Sequence, residues 1–339
     1  MIVSWYKKAL RFSSLCILFV TIFSPNRLQA STGDSEFNAS DVILHHVMDD
    51  HIWHFFDGDF GTLYLPVIVY TENHGWDVFS SSNFYDEEHN LKPYKDYTLA
   101  HGHISLTDDA EAFLLDLSIT KNVLMLFINA SILLIVFISV GRSYKRGVGK
   151  APKGLQSFLE PVIIFIRDDI AKPNIGAKYE KYLPFLLTLF FFILFGNLLG
   201  LLPGAANLTG NIAVTLTLAL FTFVLTNISG NKNYWKHIFW TPGVPLPLKF
   251  IIVPVEFLGL FTKPFSLTVR LFVAITAGHI VMLALISLVF IFRSYFVGIG
   301  STVIVLFINL IELLVAAIQA YVFTMFSALY IGLATEDHH

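Results

Sequence analysis

The sequence predicts an all-α membrane protein with about five transmembrane helices, an interfacial amphipathic helix and a long, steeply tilted C-terminal helical hairpin. Of its 339 residues, 55% are hydrophobic and only 14% are charged, whereas an ordinary soluble domain carries about 25% charged residues. Long uncharged runs recur from residue 122 onward, while 17 of the 25 acidic residues fall between 31 and 120. The remainder is apolar and only mildly basic, which argues against nucleic-acid binding.

Residues 1–30 are predicted to be a secretory signal peptide. Lys7 and Lys8 belong to a basic start, residues 13–23 form a short apolar core, and Ala30 ends a small-residue cleavage site. The core is shorter than the roughly 20 residues that span a bilayer, which favours cleavage. An uncleaved anchor is the alternative.

Residues 31–120 are predicted to form a separate, exported, acidic segment rich in histidine. The segment holds 8 of the 12 histidines but only two basic residues, Lys92 and Lys95. Residues 63–70 have the composition of a strand, and turn-forming residues follow at 73–75. This pattern predicts short strands or hairpins.

A cluster of histidines near the start of this segment allows more than one interpretation. It could bind a divalent metal, collect protons at the mouth of a channel, or form a solvated polar surface. We favour the solvated surface, and we expect neither a metal site nor a cofactor in the chain. The cluster consists of His45, His46, His51 and His54, beside Asp49 and Asp50.

The first predicted span also sets the orientation of the chain. Residues 122–141 form an uncharged run of 20 residues, and Arg142, Lys145 and Arg146 follow it without an accompanying acid. The positive-inside rule places this basic loop in the cytoplasm and the acidic segment outside. The sequence therefore predicts a multi-pass membrane protein with an exported N-terminal segment.

Residues 151–170 are predicted to lie on the cytoplasmic interface as an amphipathic helix. Their uncharged stretch is too short to span, and their apolar residues follow the i, i+3, i+4, i+7 spacing of one helix face. These residues are Leu155, Phe158, Leu159, Val162, Ile163 and Ile166.

The middle of the chain predicts a transmembrane hairpin. No charge occurs between Lys181 and Lys232, and residues 203–210 divide this stretch into 182–202 and 212–228. We expect these two runs to be joined by a short outer loop. Residues 229–249 are basic and contain three prolines, which predicts a cytoplasmic loop.

Residues 250–292 and 301–334 predict the long C-terminal hairpin. As one helix, the first run would measure about 65 Å, twice the hydrocarbon thickness of about 30 Å. Either the helix breaks, for which Pro254 and Pro264 are candidates, or it lies steeply tilted against protein neighbours.

The few ionisable residues of this hairpin form a pattern suited to proton transfer. Glu256, Lys263 and Arg270 recur every seven residues and therefore share one helix face, whereas His279 faces elsewhere. On the second run, Glu312 and Gln319 share a face, with Asn309 nearby. Intramembrane charges usually mark an ion path, and this arrangement predicts two separated half-paths for protons.

Some of these groups have a simpler explanation. We expect Lys263 and Arg293 to extend to water, and His279 and Glu312 could merely satisfy each other. Arg270 differs, because its apolar sequence neighbours offer no partner within the chain. They are Leu267, Val269, Leu271 and Phe272.

The motifs resemble subunit a of the membrane sector of rotary ATP synthases, in a bacterial form with an exported N-terminal extension. The similarity covers residues from about 122 to the C-terminus. The motifs are Glu256, Lys263-Pro264, Arg270-Leu271-Phe272, Ala277-Gly278-His279 and Gln319-Ala320-Tyr321-Val322-Phe323, with the closing residues 335–339 and the stretch 197–203.

The resemblance implies a role for each motif. Arg270 would be the stator arginine facing a ring of small proton-carrying subunits, and His279 and Glu312 would belong to the outward half-channel. The chain would be a non-catalytic proton-translocating subunit of the bacterial inner membrane, with a cytoplasmic C-terminus. Implied partners are the ring, a peripheral stalk subunit and, indirectly, the catalytic head.

Two positions depart from the pattern of the family. Ala274 stands where an asparagine usually follows the arginine, and either Thr276 or Asn309 could replace that polar group. Gly200 stands where an acid is often found. Both departures fall along the expected proton path.

Two other classes of protein compete with this reading. The runner-up is an autonomous proton-coupled transporter or channel, although the membrane part has no obvious inverted repeat. A purely structural assembly protein would leave Arg270, His279, Glu312 and Gln319 without a role. The absence of a Gly-rich phosphate loop assigns nucleotide chemistry to partners.

Overall fold

The computed structural model describes residues 48–54, 61–72, 75–86, 91–100, 102–106, 114–146, 151–202, 204–240 and 245–336. Five helical segments within these residues are long and apolar enough to cross a membrane. The predicted class, an all-α membrane protein, is therefore confirmed. The predicted signal peptide at 1–30 lies outside the described residues.

Seven short strands precede the membrane helices. They are β1 Ile52–His54, β2 Thr62–Tyr64, β3 Pro66–Thr71, β4 Gly75–Ser80, β5 Tyr97–Ala100, β6 His103–Leu106 and β7 Leu114–Asp116. β1 pairs with β2, β5 pairs with β6, and β3 lies between β4 and β7, all antiparallel. We call the described residues between 48 and 120 the β-unit.

The predicted strand at 63–70 is two strands rather than one. Leu65 separates β2 from β3, because its backbone N–H donates to Ser81 Oγ at 3.0 Å and its carbonyl accepts from the Ser81 N–H at 3.0 Å. The predicted hairpin is present as β3 and β4, and Gly75 adopts the left-handed φ of 69° that begins β4.

The β-unit has a small apolar core of its own. Alternate residues of β3 point inward and pack against the β5–β6 hairpin, as the two-residue period of a half-buried sheet requires. The core residues are Val67, Val69, Phe84, Tyr97, Leu99 and Ile104.

Helices α1 to α4 form the first half of the membrane part. α1 spans Lys121–Arg146 and α2 spans Leu155–Phe165. A π-helical turn at Ile166–Ala171, a short α3 at Lys172–Ile175 and a 3₁₀ turn at Gly176–Lys178 continue into α4 at Tyr179–Gly200.

The predicted amphipathic helix is present as α2 together with the π-helical turn that follows it, but it buries only part of its apolar stripe. Leu159, Ile166 and Ile170 pack into the core of the helical bundle, whereas Leu155 and Phe158 are exposed. The stripe is wider than the contact with the bundle, and its outer part suits a membrane interface.

The predicted loop at 229–249 is wrong in part. After α5, Ile212–Ser229, a further helix α6 occupies Lys232–Phe239, and α7 already begins at Leu246. The basic residues and prolines of 229–249 suggested a loop, and a helix this short is marginal by itself. Tertiary contacts hold it: the Asn231 backbone N–H donates to the Ala334 carbonyl at 2.9 Å.

The C-terminal hairpin consists of two helices longer than predicted. α7 spans Leu246–Phe292, 47 residues, and α8 spans Tyr295–Thr335, 41 residues. α7 continues through both internal prolines, so the predicted alternative of a broken segment is wrong. At 1.5 Å per residue the helices measure about 70 and 60 Å, so they exceed the bilayer core and must incline.

α8 lies against α4 and α7, and α5 packs on α7. Their contact buries one apolar core, which includes Leu186, Phe191, Leu267, Leu271 and Phe323. Large apolar side chains are exposed along the outer faces of α7 and α8. In a water-soluble protein such surfaces would be covered, so they fit lipid and membrane-embedded partners.

Candidate functional site

Arg270 lies on α7 at the edge of this core. The adjacent Leu267 and Leu271 are buried, and the guanidinium carbon lies 4.3 Å from the ring centroid of Phe326 on α8. Such stacking is a cation–π interaction. Within the described part of the chain, the guanidinium has no hydrogen bond and no ion pair. Its donors are therefore available to an acceptor from another chain.

His279 and Glu312 form a buried pair. Only 9% of His279 and 4% of Glu312 are exposed, and His279 Nδ1 lies 3.1 Å from Glu312 Oε1. His279 Nε2 lies 3.2 Å from the carbonyl oxygen of Gly200. The structure thus joins two of the predicted site residues across α7 and α8 and adds a third group from α4.

The hydrogen bonds of His279 restrict where protons can reside. A carbonyl oxygen only accepts, so Nε2 must carry a proton. The contact with Glu312 then holds one further proton, either on Nδ1 as imidazolium facing a carboxylate or on Glu312 facing a neutral ring. Passing that proton across 3.1 Å interconverts the two forms. Glu312 Oε2 is buried and has no partner among the described residues.

Gly278 makes this pairing possible by close approach. A Cβ atom at Gly278 would lie 2.9 Å from Glu312 Cγ and would meet Oε1 directly. Any larger residue would displace the carboxylate. In the sequence Gly278 stands out only as a member of a motif, because its contact with Glu312 depends on packing with α8.

The other polar residues of α7 and α8 follow the predicted faces. Thr276, three residues before His279, has a buried hydroxyl without a partner among the described residues. Asn309 and Gln319 are half-buried. Glu312, Gln319 and Phe326 recur every seven residues, so one stripe of α8 leads from the acid to the ring beneath Arg270.

Glu256 lies on the wall of a polar cavity at the other end of the hairpin. The cavity has a volume of about 480 Å³, and Lys263, His237 and Glu336 also line it. Glu256 Oε1 is 3.9 Å from His237 Nδ1, and Lys263 Nζ lies 5.5 Å from the Tyr330 ring centroid. Titratable side chains therefore line an open cavity at the end of the hairpin that contains Glu256.

Position 200, where the family often has an acid, is a glycine against which the loop residues 204–211 pack. A Cβ at Gly200 would lie 3.4 Å from Asn207 Cα, so this loop packs directly on the glycine. Thr209 Oγ1 donates to Asn197 Oδ1 at 2.7 Å, and Asn197 Nδ2 donates to the Ala316 carbonyl at 3.2 Å. The contribution of Gly200 is its carbonyl, which sequence reasoning did not anticipate.

The predicted solvated surface is wrong for His51. This residue is 1% exposed, and its Nε2 lies 3.7 Å from Asp116 Oδ2. Burial alone would raise the pKa of the Asp116 carboxyl, but the His51 ring and Ser118 outweigh it and hold that pKa below its usual value. The described residues contain no group of three or more potential metal ligands. His45 and His46 lie outside them.

Comparison with known proteins identifies the membrane part. The profile of the family described as "ATP synthase A chain" matches residues 123–332. The chain belongs to this family. An ATP synthase subunit a of Chlorobium phaeobacteroides is 44% identical over 317 residues, which cover 91% of this chain and 79% of the relative.

Two further relatives match shorter or similar stretches of the chain. The ATP synthase subunit a of Chloroherpeton thalassium is 51% identical over 231 residues, 66% of this chain and 69% of the relative. An ATP synthase subunit a 2 of Prosthecochloris aestuarii is 44% identical over 310 residues, which cover 89% of this chain and 82% of the relative. Residues 42–124 match a second family, described as a domain of unknown function.

Membership of the ATP synthase A chain family confirms the predicted function. The chain is a non-catalytic, multi-pass membrane subunit that acts as a stator in the proton-translocating sector of ATP synthase. An autonomous transporter or channel is not favoured.

Proposed function

We propose that Arg270 separates two proton half-paths, one ending at His279 and Glu312 and the other at the cavity beside Glu256. The observation that carries this proposal is the guanidinium of Arg270, which has no anionic partner within the described chain and lies between these two sets of titratable groups. The missing partner would be a carboxylate of a ring of small proton-carrying subunits.

The outward half-path would use the exchange of a proton between His279 and Glu312. Their contact at 3.1 Å allows transfer, and the free Glu312 Oε2 can pass a proton onward. Thr276 and Asn309 lie on the same faces as the pair. These two residues would supply the polar lining that Ala274 does not provide.

The inward half-path would open at the polar cavity. Glu256 and His237 can each hold a proton there, and Lys263, which also lines the cavity, lies between Glu256 and Arg270 on the shared face of α7. Gln319 would line the passage beside Arg270.

Arginine suits the position between the half-paths for a physical reason. A guanidinium keeps its proton at any physiological pH, so protons cannot hop through Arg270. Its charge also favours the ionised form of a ring carboxylate within reach. That carboxylate must release its proton to one path before passing and take up another afterwards. Each proton gains about 2.3 kcal/mol per 100 mV crossed, which drives rotation in one direction.

Contacts and charge support one orientation of the chain. The hydrogen bond from Trp53 to Gly204 joins the β-unit to the loop between α4 and α5, so we infer that both lie on the same side of the membrane. Basic residues of α6 and of the start of α7 lie at the other end, beside the cavity. By the positive-inside rule, the β-unit would be periplasmic and the C-terminus cytoplasmic in a bacterial inner membrane. A peripheral stalk subunit would complete the stator.

The test is ATP-driven acidification of inverted membrane vesicles that carry Arg270→Ala. We expect pumping to be lost and a passive proton leak to appear, because the barrier between the half-paths is gone. Assembly of the complex is verified first by co-purification with the ring. Coupled pumping by an assembled variant would contradict the proposal.

Arg270→Lys tests whether a positive charge alone is sufficient at this position. A lysine can deprotonate when buried and cannot form the planar two-point contact of a guanidinium, so we expect this variant to fail as well. Arg293→Lys is the matched control, because Arg293 is exposed at the end of the same helix and should tolerate the change. Full coupled pumping by Arg270→Lys would show that any cation suffices.

A further inference from the structure

Trp53 joins the β-unit to the loop between α4 and α5. Only 7% of its surface is exposed, and its indole Nε1 donates to the Gly204 carbonyl at 2.6 Å. The ring packs in an apolar cluster with Met125 of α1 and with Ala206 and Leu208 of the loop. One side chain of the β-unit therefore holds this loop through both a hydrogen bond and an apolar contact.

Asp49 fixes the same part of the β-unit to α1. Its Oδ2 accepts a hydrogen bond from Thr120 Oγ1 at 2.8 Å, and its Oδ1 accepts one from the Asn122 N–H at 3.2 Å. The Lys121 N–H donates to the Asp50 carbonyl at 2.9 Å. Asp49 thus acts as an N-cap supplied from 73 residues away, and Trp53 is anchored to the first turn of a membrane helix.

The loop in turn reaches the His279–Glu312 pair through Gly200. Asn207 packs on Gly200, and the Gly200 carbonyl accepts from His279 Nε2 at 3.2 Å. On the opposite side, Thr209 reaches Ala316 through Asn197, and Ala316 lies one turn after Glu312 on α8. Displacement of the loop would therefore disturb the carbonyl that His279 contacts and the turn of α8 that follows Glu312.

We propose that the β-unit braces the outer end of the outward half-path, with Trp53 as the positioning residue. Trp53 holds the loop at 204–210 against Gly200, and Gly200 holds the His279 ring in the orientation that faces Glu312. The inference rests on the proposed role of His279 and Glu312 in proton entry. It gives a function to the part of the chain that matches a domain of unknown function.

The proposal predicts a change in how the pair takes up protons. With the Gly200 carbonyl displaced, the His279 ring spends part of its time turned away from Glu312, and proton uptake by the pair weakens in proportion to the fraction that stays aligned. A variant with a loose loop then needs a lower pH on the side of the β-unit to reach half-maximal turnover. The pH dependence on the opposite side should not move, because the loop does not reach the cavity beside Glu256.

The experiment measures ATP synthesis by the whole complex in vesicles, with the pH of the two compartments varied independently. Trp53→Ala should shift the profile on the β-unit side to lower pH, and Trp53→Phe, which keeps most of the packing, should shift it less. Trp76→Ala is the matched control, since Trp76 belongs to the same unit but is 60% exposed. An unchanged profile in assembled Trp53→Ala would overturn the proposal.

Hydrogen exchange provides a second readout that does not depend on turnover. Amides at 204–210 should exchange faster in Trp53→Phe and Trp53→Ala than in Trp76→Ala. If Trp53→Ala does not assemble, the pH profile and the hydrogen exchange of Trp53→Phe test the proposal instead. A loop as protected as in the parent, together with an unmoved pH profile, would overturn the proposal.

Glu312→Gln in the same vesicles distinguishes failure of this inference from failure of the proposed function. If Glu312→Gln abolishes synthesis while the Trp53 variants behave as the parent, the outward path is correct and the brace is wrong. If Glu312→Gln supports normal synthesis, the proposed proton path itself is wrong.

Discussion

At the scale of single residues, the proposed proton transfer depends on how closely two long helices approach. Glu312 reaches His279 only because position 278 on α7 has no side chain. The Gly200 carbonyl then fixes which nitrogen of His279 bears a proton. Arg270 stacks on a ring, and its donors have no partner among the described residues. The proposed proton transfer therefore depends on Gly278 and Gly200 as much as on the ionisable residues.

Gly278→Ala should disconnect the pair without removing either member. The added methyl group occupies the place of the Glu312 carboxylate, and a misplacement of about 1 Å can cost a reaction about 100-fold in rate. We expect proton-driven ATP synthesis to fall by about that factor in an assembled complex.

Gly300→Ala on α8 is the control for this substitution. Nothing is within 4 Å of the position that the Gly300 Cβ would take. It should retain parental activity. Equal activity of the two alanine variants would mean that Glu312 tolerates displacement.

At the scale of helices, the end of α8 is held by close backbone contact. A Cβ at Gly332 would collide with the Asn174 carbonyl oxygen of α3. The Lys178 Nζ also donates to the Thr335 carbonyl at 3.3 Å, and Asn231 Nδ2 donates to the same carbonyl at 2.9 Å. These contacts fix the end of the long hairpin to two other parts of the fold. They give the inclined helices the protein neighbours that their length requires.

Gly332→Ala should destabilise this attachment by about 1–3 kcal/mol, the usual cost of overpacking a closely packed site. Thermal inactivation of the purified complex, followed by release of the chain, would measure the effect. Gly300→Ala on the same helix has open space around the added methyl group and should behave as the parent. Equal stability of both variants would show that α3 can move away from α8 at little cost.

At the scale of the whole molecule, the chain divides its polar groups between two ends. The β-unit and the loop at 201–211 form one end, joined by Trp53 and Gly204. The cavity lined by Glu256, α6 and the C-terminal end of α8 forms the other. The surface between them is apolar on the outer faces of α7 and α8. This division suits a stator that takes protons in at one face and releases them at the other.

Labelling with a membrane-impermeant maleimide tests whether the β-unit and α6 lie on opposite sides of the membrane. In a Cys16→Ser background, Leu91→Cys should react only from the periplasmic side and Lys236→Cys only from the cytoplasmic side. Both positions are exposed, and the chain has no other cysteine. Labelling of both from the same side would refute the orientation.

The sequence by itself determined the membrane class, the long C-terminal helices and the membership of the proton-translocating family. Uncharged runs and seven-residue spacing are local patterns, and a helix of regular geometry converts them directly into spans and faces. The same reasoning placed Glu312 and Gln319 on one stripe. It also predicted the β3–β4 hairpin from its turn residues.

Only the tertiary structure decided what the faces touch. The bonds of His279 to Glu312 and Gly200 join residues 33 and 79 apart, and the Trp53–Gly204 bond joins residues 151 apart. Periodicity carries no information over such separations. The close approach at Gly278, helix α6 and the burial of His51 all depend on neighbours from distant segments. The geometry of the site therefore depends on packing between distant segments and not on the local conformational preferences of each segment.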